Sequence, residues 1–305
     1  MKSKIIAASP LYISPACEKF SKTPAHGPRA QRGVSLIELM VGIAIGLLVV
    51  AVAMSALMVS RGVSGTVSDV SGIQQQAAYA MRVIGLQLRQ AGSLYLNPIP
   101  NPGSVAAGGE YLAVVAFETM APASSPSNGF DPAKDTLGST GGALTVGYRR
   151  YKDAVFTGTA AQSLARNCLG APADTSNDQR VENIFQLNGS DLRCSGNGAA
   201  PQPIVQNVAN FQLRYLMQDV TSTAGNPTIK SVTAAAVGTE WNKVQGVEVC
   251  LVLYGSEPID MPAGSSYTDC DGTTAVNMTT LTGARAGRMH IVFRNVFQLR
   301  SQGML

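Results

Sequence analysis

The sequence predicts an α+β fold in which a long N-terminal helix, apolar in its first half, packs on an antiparallel β-sheet domain with large loops. Three observations lead to this prediction. Residues 34–60 form an apolar run with one charged residue, Glu38. Residues 61–92 carry apolar side chains at helical spacing, and residues 93–305 alternate short strand-like runs with loops rich in Gly, Pro and Ser.

The apolar run is long enough to cross a membrane as a helix. Its 27 residues, from Val34 to Ser60, contain no proline and are rich in good helix formers. At about 1.5 Å per residue the run exceeds the roughly 30 Å hydrocarbon core of a bilayer. A secretory signal peptide has a shorter apolar core, although Ala51-Val52-Ala53 resembles its cleavage site. A plain single-pass anchor would explain the length but neither the glutamate nor the glycine before the run.

Charge is concentrated in residues 1–33, which hold six basic residues and one acidic residue. The positive-inside rule therefore predicts a cytoplasmic leader and a periplasmic location for the chain after Arg61. The whole chain has a net charge of +4, so the part after the leader is close to neutral. The basic pI thus reflects the leader, and no nucleic acid is expected as a partner.

Glu38 is the unusual residue of the apolar run. A carboxylate within such a helix costs roughly 2.5–3.5 kcal/mol on insertion scales and persists where it finds a partner. A cut after Gly33 would give Val34 a new ammonium group, about one helical turn from Glu38. That ammonium group, or the one on a neighbouring helix, could pair with the Glu38 carboxylate in a low-dielectric setting.

The hexapeptide Gly33-Val34-Ser35-Leu36-Ile37-Glu38, with basic residues before it and the apolar run after it, resembles the class III signal of type IV prepilins and pseudopilins. The resemblance implies that a prepilin peptidase cleaves after Gly33 and N-methylates Val34. It also implies that Glu38 pairs with the N-terminal amine of an adjacent subunit during assembly. The family usually has phenylalanine where this chain has Val34, and the mid-span proline of major pilins is missing.

The helix is predicted to continue beyond the membrane as an amphipathic segment, residues 61–92. Gly92 and Asn97-Pro98 are expected to end it. Its polar residues are available for other faces of the helix, and they include Gln75, Gln76, Arg82, Gln87 and Arg89. Its apolar stripe consists of Val63, Val67, Val70, Ala77, Met81, Ile84, Leu88 and Ala91.

The remaining chain, residues 93–305, is predicted to form one β-rich domain, with loops at Asn97–Gly109 and Ala121–Gly142. Alternating apolar residues on three of the predicted strands give an apolar sheet face that would pack against the helical stripe. The predicted strands are Tyr111–Phe117, Leu144–Tyr151, Ile184–Leu187, Val205–Met217, Val247–Tyr254 and Met289–Leu299.

Four cysteines remain after Cys17 leaves with the leader, and they allow three pairings. Cys168–Cys194 and Cys250–Cys270 are favoured because each pair closes a local loop, which stabilises by roughly 3 kcal/mol on the chain-entropy estimate. Zinc is the alternative, but there is no CxxC pair and only one histidine beyond the leader. Structural disulfides in an oxidising compartment are therefore expected.

Motifs of catalysis and cofactor binding are missing from the sequence, so neither an enzyme nor a cofactor or metal site is expected. His290 is interpreted as a strand residue and Asp269-Cys270-Asp271-Gly272 as a turn rather than a calcium loop. Asn188 and Asn277 begin glycosylation sequons that chance supplies often. The GxxxG spacing of Gly42 and Gly46 could bring apolar helices close together, or it could reflect only that the span tolerates glycine. The basic group Arg149, Arg150 and Lys152 is interpreted as a solvated strand edge.

Length and two C-terminal stretches narrow the resemblance. A chain of 305 residues is similar to the large minor pilins of the PilW family, as are the stretches Asn207–Tyr215 and Val292–Arg300. The resemblance implies a non-enzymatic protein that primes pilus assembly with other minor pilins and the major pilin on the inner-membrane assembly platform. It further implies support of a PilY-type tip adhesin, and hence adhesion and twitching motility at the cell surface.

Two other functions stay open at this point. One is a J-type minor pseudopilin of type II secretion, which would share the leader and the apolar helix. The other, from a different class, is a periplasmic binding or enzymatic domain on a simple membrane anchor. An uncleaved N-terminus and independence of partner subunits would distinguish the anchored domain.

Overall fold

A computed structural model describes residues 33–92, 95–96, 115–116, 120–122, 129–156, 158–219 and 228–299. The chain divides into two compact units, the first ending at Leu57 and the second beginning at Met58. The predicted leader, the loop Asn97–Gly109 and most of the predicted strand Tyr111–Phe117 lie outside the described residues.

Helix α1 runs without a break from Leu36 to Gln90. It contains no proline, and six glycines within it do not interrupt it because single glycines cost a helix only about 1 kcal/mol each. The helix ends as predicted: Ala91 N–H donates to the Gln87 carbonyl, and Gly92 follows with a φ of +66°. A left-handed glycine just past the last turn is a common helix stop.

The buried stripe of α1 differs in part from the prediction. Val67 is 64% exposed, so the stripe predicted to begin at Val63 begins instead at Ile73. Contact with the domain starts just before that residue, since Val70 is half-buried and Asp69 accepts hydrogen bonds from Ser256 N–H and Oγ, each at 2.8 Å. The buried residues of the stripe are Ile73, Ala77, Ala80, Ile84, Leu88 and Ala91.

Beyond α1, the second unit contains two principal antiparallel sheets. The short ribbon β1 (Tyr95–Leu96) with β2 (Val115–Ala116) and the helical turn α2 (Pro132–Asp135) come before them. The first sheet has five strands in sequential order: β3 (Leu137–Thr140), β4 (Ala143–Arg149), β5 (Arg180–Asn188), β6 (Asp191–Ser195) and β7 (Gln202–Val205).

The second sheet has four strands in the spatial order β13-β10-β8-β9. A helical turn α3 (Ala234–Val237) and a 3₁₀ turn (Trp241–Lys243) join β9 to β10. A small ribbon of β11 and β12 lies between β10 and β13 in the chain. The bounds are β8 (Val208–Asp219), β9 (Thr228–Val232), β10 (Val244–Tyr254), β11 (Ser266–Thr268), β12 (Ala275–Asn277) and β13 (His290–Gln298).

One hydrophobic core joins the stripe of α1 to both sheets, with Ile84 and Leu88 packed among Val146, Phe185 and Leu251. Five predicted strands, from Leu144–Tyr151 onward, overlap β4, β5, β8, β10 and β13. The predicted loop Ala121–Gly142 was wrong in part, because α2 and β3 lie within it. Asp131 caps α2 by accepting from Ala133 N–H, a local signal for a helix start.

Candidate processing and assembly segment

The start of α1 brings together the residues that the sequence singled out. Ser35 caps the helix: its Oγ accepts from Glu38 N–H at 3.3 Å, and its carbonyl accepts from Leu39 N–H at 3.1 Å. Glu38 therefore lies in the first helical turn, and Gly33 and Val34 lie just before the cap. The sequence analysis missed this role of Ser35, although the S-x-x-E spacing of a capping box predicts it.

Residues 33–57 are the described part of the first unit, and from Val34 onward they expose apolar side chains all around the helix. Each large apolar side chain between Val34 and Leu57 is about half exposed or more. Helix α1 is long and apolar enough to cross a membrane by length and composition. Gly42 and Gly46 have open space where a Cβ atom would stand, so that face of the helix has no protein neighbour among the described residues.

Glu38 is exposed, and its carboxylate makes no hydrogen bond or ion pair with any residue that the structure describes. The negative charge in the first turn suits the positive end of the helix dipole, which contributes roughly 0.3–1 kcal/mol at an exposed site. That gain is smaller than the cost of an unpaired carboxylate among apolar groups. The chemistry that remains open to this side chain is pairing with a cation.

The second half of α1 is anchored through a buried polar network around Gln87. Gln87 Nε2 donates to the Arg166 carbonyl at 3.4 Å, and Gln87 Oε1 accepts from Tyr148 OH and Asn183 Nδ2, each at 3.1 Å. Asn183 Oδ1 in turn accepts from Cys168 N–H at 2.7 Å. The prediction that Gln87 faces away from the core was wrong, because these partners satisfy its amide inside the domain.

The basic group on β4 also differs from its interpretation as a solvated edge. Arg150 is buried, and its guanidinium donates to five backbone carbonyls. Burial lowers the pKa of Arg150, and the nearby charge of Arg166 lowers it further. The residues with those carbonyls all belong to the connection between β4 and β5, and they are Ser163, Ala173, Asp174, Ser176 and Asp178. Arg150 therefore holds this long connection against the sheet.

Its neighbours in the basic group are less buried but also engaged. Arg149 lies over the ring of Tyr151 at 4.9 Å, and Lys152 donates to the Thr175 carbonyl at 2.9 Å. All three basic residues thus make contacts that stabilise their own domain.

Two disulfides close loops in the second unit, Cys168–Cys194 and Cys250–Cys270. The first lies beside the Gln87 network, since Cys168 N–H bonds to Asn183. The second ties β10 to the segment after β11, against Val252. The loop closed by the first bridge contains β5 and most of β6, whereas most of the loop closed by the second has no regular secondary structure.

The other candidate residues have local roles. Asp271 accepts from the hydroxyl of Thr274 and from the backbone N–H groups of Thr274 and Thr273, which lowers its pKa. These bonds form the turn that the sequence predicted. Asn277 caps a 3₁₀ turn through Thr279 N–H. His290 begins β13 and is buried. No group of three or more His, Cys, Asp or Glu residues in the described chain could hold a metal ion.

Comparison with known families adds to this geometry. Residues 28–54 match the prokaryotic N-terminal methylation motif, which covers Gly33, Val34 and Glu38. Residues 175–301, less than half of the chain, match the type IV pilus-assembly protein W family, PilW. Together, the N-terminal methylation motif and the PilW-like region support a type IV pilus minor pilin of the PilW family. The PilW match covers β5 to β13, whereas the methylation motif covers the start of α1.

A solved structure of a type IV-like pilin from Thermus thermophilus is similar to this chain. The two are 14% identical, with 55% of this chain and 84% of the other covered and a TM-score of 0.29. Among curated protein sequences, none matches the chain. Pilins are structural proteins, and the methylation motif implies processing by a peptidase, a membrane-anchored precursor and assembly with other pilins.

Proposed function

We propose that this chain primes assembly of a type IV pilus together with other minor pilins and supports a PilY-type adhesin at the pilus tip, for adhesion and twitching motility. Residues 34–60 would hold it in the inner membrane, with the leader, residues 1–33, in the cytoplasm. Residues 61–92 and the domain 93–305 would lie in the periplasm until the subunit enters the pilus. The PilW match favours this function over that of a J-type pseudopilin.

The observation that carries the proposal is the unpartnered carboxylate of Glu38 in the first turn of an exposed apolar helix. Cleavage after Gly33 by the prepilin peptidase would place an ammonium group on Val34, which the peptidase then methylates. This cation lies at the positive end of the helix dipole, an unfavourable position that a nearby carboxylate relieves. Within a bundle, the amine of a neighbouring major or minor pilin would pair with Glu38.

Assembly would then exchange lipid for protein around the apolar half of α1. The inner-membrane assembly platform would lift the helix from the bilayer as its carboxylate meets the amine of the next subunit. A charge pair of this kind is strong in an apolar bundle, and a missing partner leaves a buried charge that is costly. Gly42 and Gly46 leave space for neighbouring helices to approach closely.

Sequencing the purified mature protein from its amino end tests the cleavage site. We expect the first residue to be Val34, carrying an N-methyl group. The variant Gly33→Ala should remain an unprocessed precursor that keeps the 33 leader residues, whereas the control Gly42→Ala should be processed normally. A mature protein that begins at any other residue, or normal processing of Gly33→Ala, would contradict the proposal.

A further inference from the structure

Strand β8 has an edge that the sheet leaves open. β8 pairs with β10 from Val208 to Met217, but with β9 only from Tyr215 to Asp219. β9 ends at Val232, opposite Tyr215, where the chain turns into α3. Residues 209–214 therefore have one strand neighbour among the described residues. Because N–H and C=O groups point alternately to the two sides of a strand, about half of those in this stretch face the open side.

A cleft of about 710 Å³ runs along this edge. It is lined by five consecutive residues of β8, from Phe211 to Tyr215. Phe211 and Tyr215 belong to the buried core, whereas Gln212 is exposed on the other face of the sheet. A cavity that touches both faces of a strand must lie beside the edge of that strand. The other lining residues come from β3 and the turn after it, and from the segment that includes α3 and Trp241. Asp271 also lines the cleft, and its carboxylate is already bonded to the N–H groups of Thr273 and Thr274.

Two polar groups in the cleft, the Tyr215 hydroxyl and the Arg214 guanidinium, are available to a ligand. On the core side, Tyr215 packs edge-on against Trp241 with ring centroids 5.0 Å apart. The buried Tyr215 hydroxyl lies near Ser139 without a hydrogen bond of normal geometry in the described structure. On the other side, Arg214 makes no ion pair with a described residue, because its cross-strand neighbour Glu248 pairs with Arg294 at 3.8 Å.

We propose that this cleft binds an extended segment of another protein, which adds a strand beside β8 in line with β9. Unused backbone donors and acceptors along an edge are what a polypeptide strand satisfies, and alternate side chains then enter pockets on the two faces. The segment should alternate apolar residues, facing Phe211 and Trp241, with an acidic residue facing Arg214. The inference does not depend on the chain being a pilin.

Charge argues against a second copy of this chain as the occupant. Its own edge strands in the same sheet, β9 and β13, carry Lys230 and Arg294. Neither strand contains an acidic residue, so neither would bring a carboxylate opposite Arg214. A different protein with an acidic, alternating segment fits the cleft better.

Photo-crosslinking of the full-length chain in the cells that produce it tests the proposal. A benzophenone amino acid replaces Gln212 in the cleft or, as control, the exposed Gln186 on β5. We expect the Gln212 probe to crosslink to one segment of a different protein, with the alternation described above and at a yield well above that of the Gln186 probe. Crosslinks to a second copy, or equal yields at the two positions, would overturn the proposal.

A matched pair of variants shows whether the cleft itself is used. Ala235 and Ala236 are both exposed on α3, but only Ala235 lines the cleft. Ala235→Trp should fill the cleft and reduce the Gln212 crosslink by about tenfold or more, which corresponds to at least 1.4 kcal/mol of binding. Ala236→Trp should leave the yield unchanged, and Arg214→Glu should reduce it more than Arg214→Gln. An equal yield in both tryptophan variants would contradict strand binding at this site.

Discussion

Two polar side chains of α1, Glu38 and Gln87, have opposite surroundings. Glu38 lies among exposed apolar residues, and its carboxylate has no partner in the described structure. Gln87 is only 7% exposed, and both atoms of its amide are hydrogen-bonded to the domain. A polar group removed from water must find a partner. For Gln87 the same chain supplies that partner, and for Glu38 the proposed partner comes from another subunit.

The comparison extends to the apolar residues of the two halves. From Ile73 onward the apolar stripe is buried against the two sheets, while Tyr79 and Leu86 on the other faces are exposed. The large apolar side chains between Val34 and Leu57 are all exposed. Apolar residues on all sides of a helix are stable only where lipid or other helices surround it. The second half of α1 therefore stabilises its own domain, and the first half is suited to contacts outside the chain.

The largest expected effect comes from removing the unpartnered charge. Glu38→Ala should be cleaved normally and yet be absent from pili, because the amine of its neighbour would have no counter-charge in the bundle. Immunoblots of sheared filaments and of membranes measure the two quantities. Gln75→Ala, an exposed polar change in the second half of α1, is the control.

The Glu38→Ala variant also distinguishes a role in the type IV pilus from a role in type II secretion. Loss of filaments with normal export of type II substrates supports the pilus. Loss of export with normal filaments would instead indicate the J-type pseudopilin. Normal incorporation of Glu38→Ala into pili would contradict the role given to its carboxylate.

The next largest effect contrasts two leucines. Leu88 is fully buried and Leu48 is 66% exposed. Leu88→Ala should lower the free energy of unfolding of the domain by about 2–5 kcal/mol, because it leaves a cavity in the core. Leu48→Ala should change it by less than about 0.5 kcal/mol. Denaturant titration in detergent, followed by fluorescence of the single tryptophan Trp241, measures both; equal losses would refute the division of α1.

Periodicity of apolar residues predicted the helix and the principal strands, because α1, β8, β10 and β13 carry apolar residues at regular spacing. It missed strands whose composition is polar, such as β3 (LGST) and β9 (TIKSV). These strands are held by pairing with a neighbour rather than by an apolar face of their own. Gln87 and Arg150 were misjudged for a related reason, since their partners are brought near only by the tertiary fold.

The candidate site could be predicted in part from the sequence because its residues lie close together in the chain. Gly33, Val34 and Glu38 lie within six residues of one another, and Ser35 completes a capping pattern in the same stretch. The cleft beside β8 has no local signal. It exists because β9 stops opposite Tyr215, and the length of a strand partner is not encoded in the residues of β8 itself.

A smaller effect is expected from replacing Gln87, the side chain of α1 whose amide oxygen and nitrogen are both hydrogen-bonded. Gln87→Leu should cost about 1–3 kcal/mol, since Tyr148 and Asn183 lose a buried acceptor. The lower end of that range is expected, because Tyr148 OH also donates to the Arg166 carbonyl and Asn183 Nδ2 to the Val146 carbonyl. Gln75→Leu, at an exposed position, should be nearly neutral in the same titration. A loss no greater for Gln87→Leu than for Gln75→Leu would show that the network does not anchor α1.

His290 is an intermediate case, with one ring nitrogen satisfied and the other not. Its ring stacks on Tyr267 at 5.2 Å, and Nδ1–H donates to the Arg288 carbonyl at 2.8 Å. The buried Nε2 has no partner in the described structure. Protonation would place a charge there without a counter-charge, so burial lowers the pKa of His290, and the charge of Arg285 lowers it further.

The sign of the resulting pH dependence follows from that lowered pKa. Below the ordinary histidine pKa of about 6.5 the unfolded chain binds a proton that the folded domain does not. The contribution of neutral His290 to stability is therefore complete above about pH 6.5 and is lost as the pH falls through the folded pKa. His290→Phe keeps an aromatic ring at this position but cannot titrate, so its unfolding free energy should fall less between pH 7 and pH 5 than that of the unaltered chain. Parallel curves for the two proteins would mean that Nε2 finds a partner that accepts its proton.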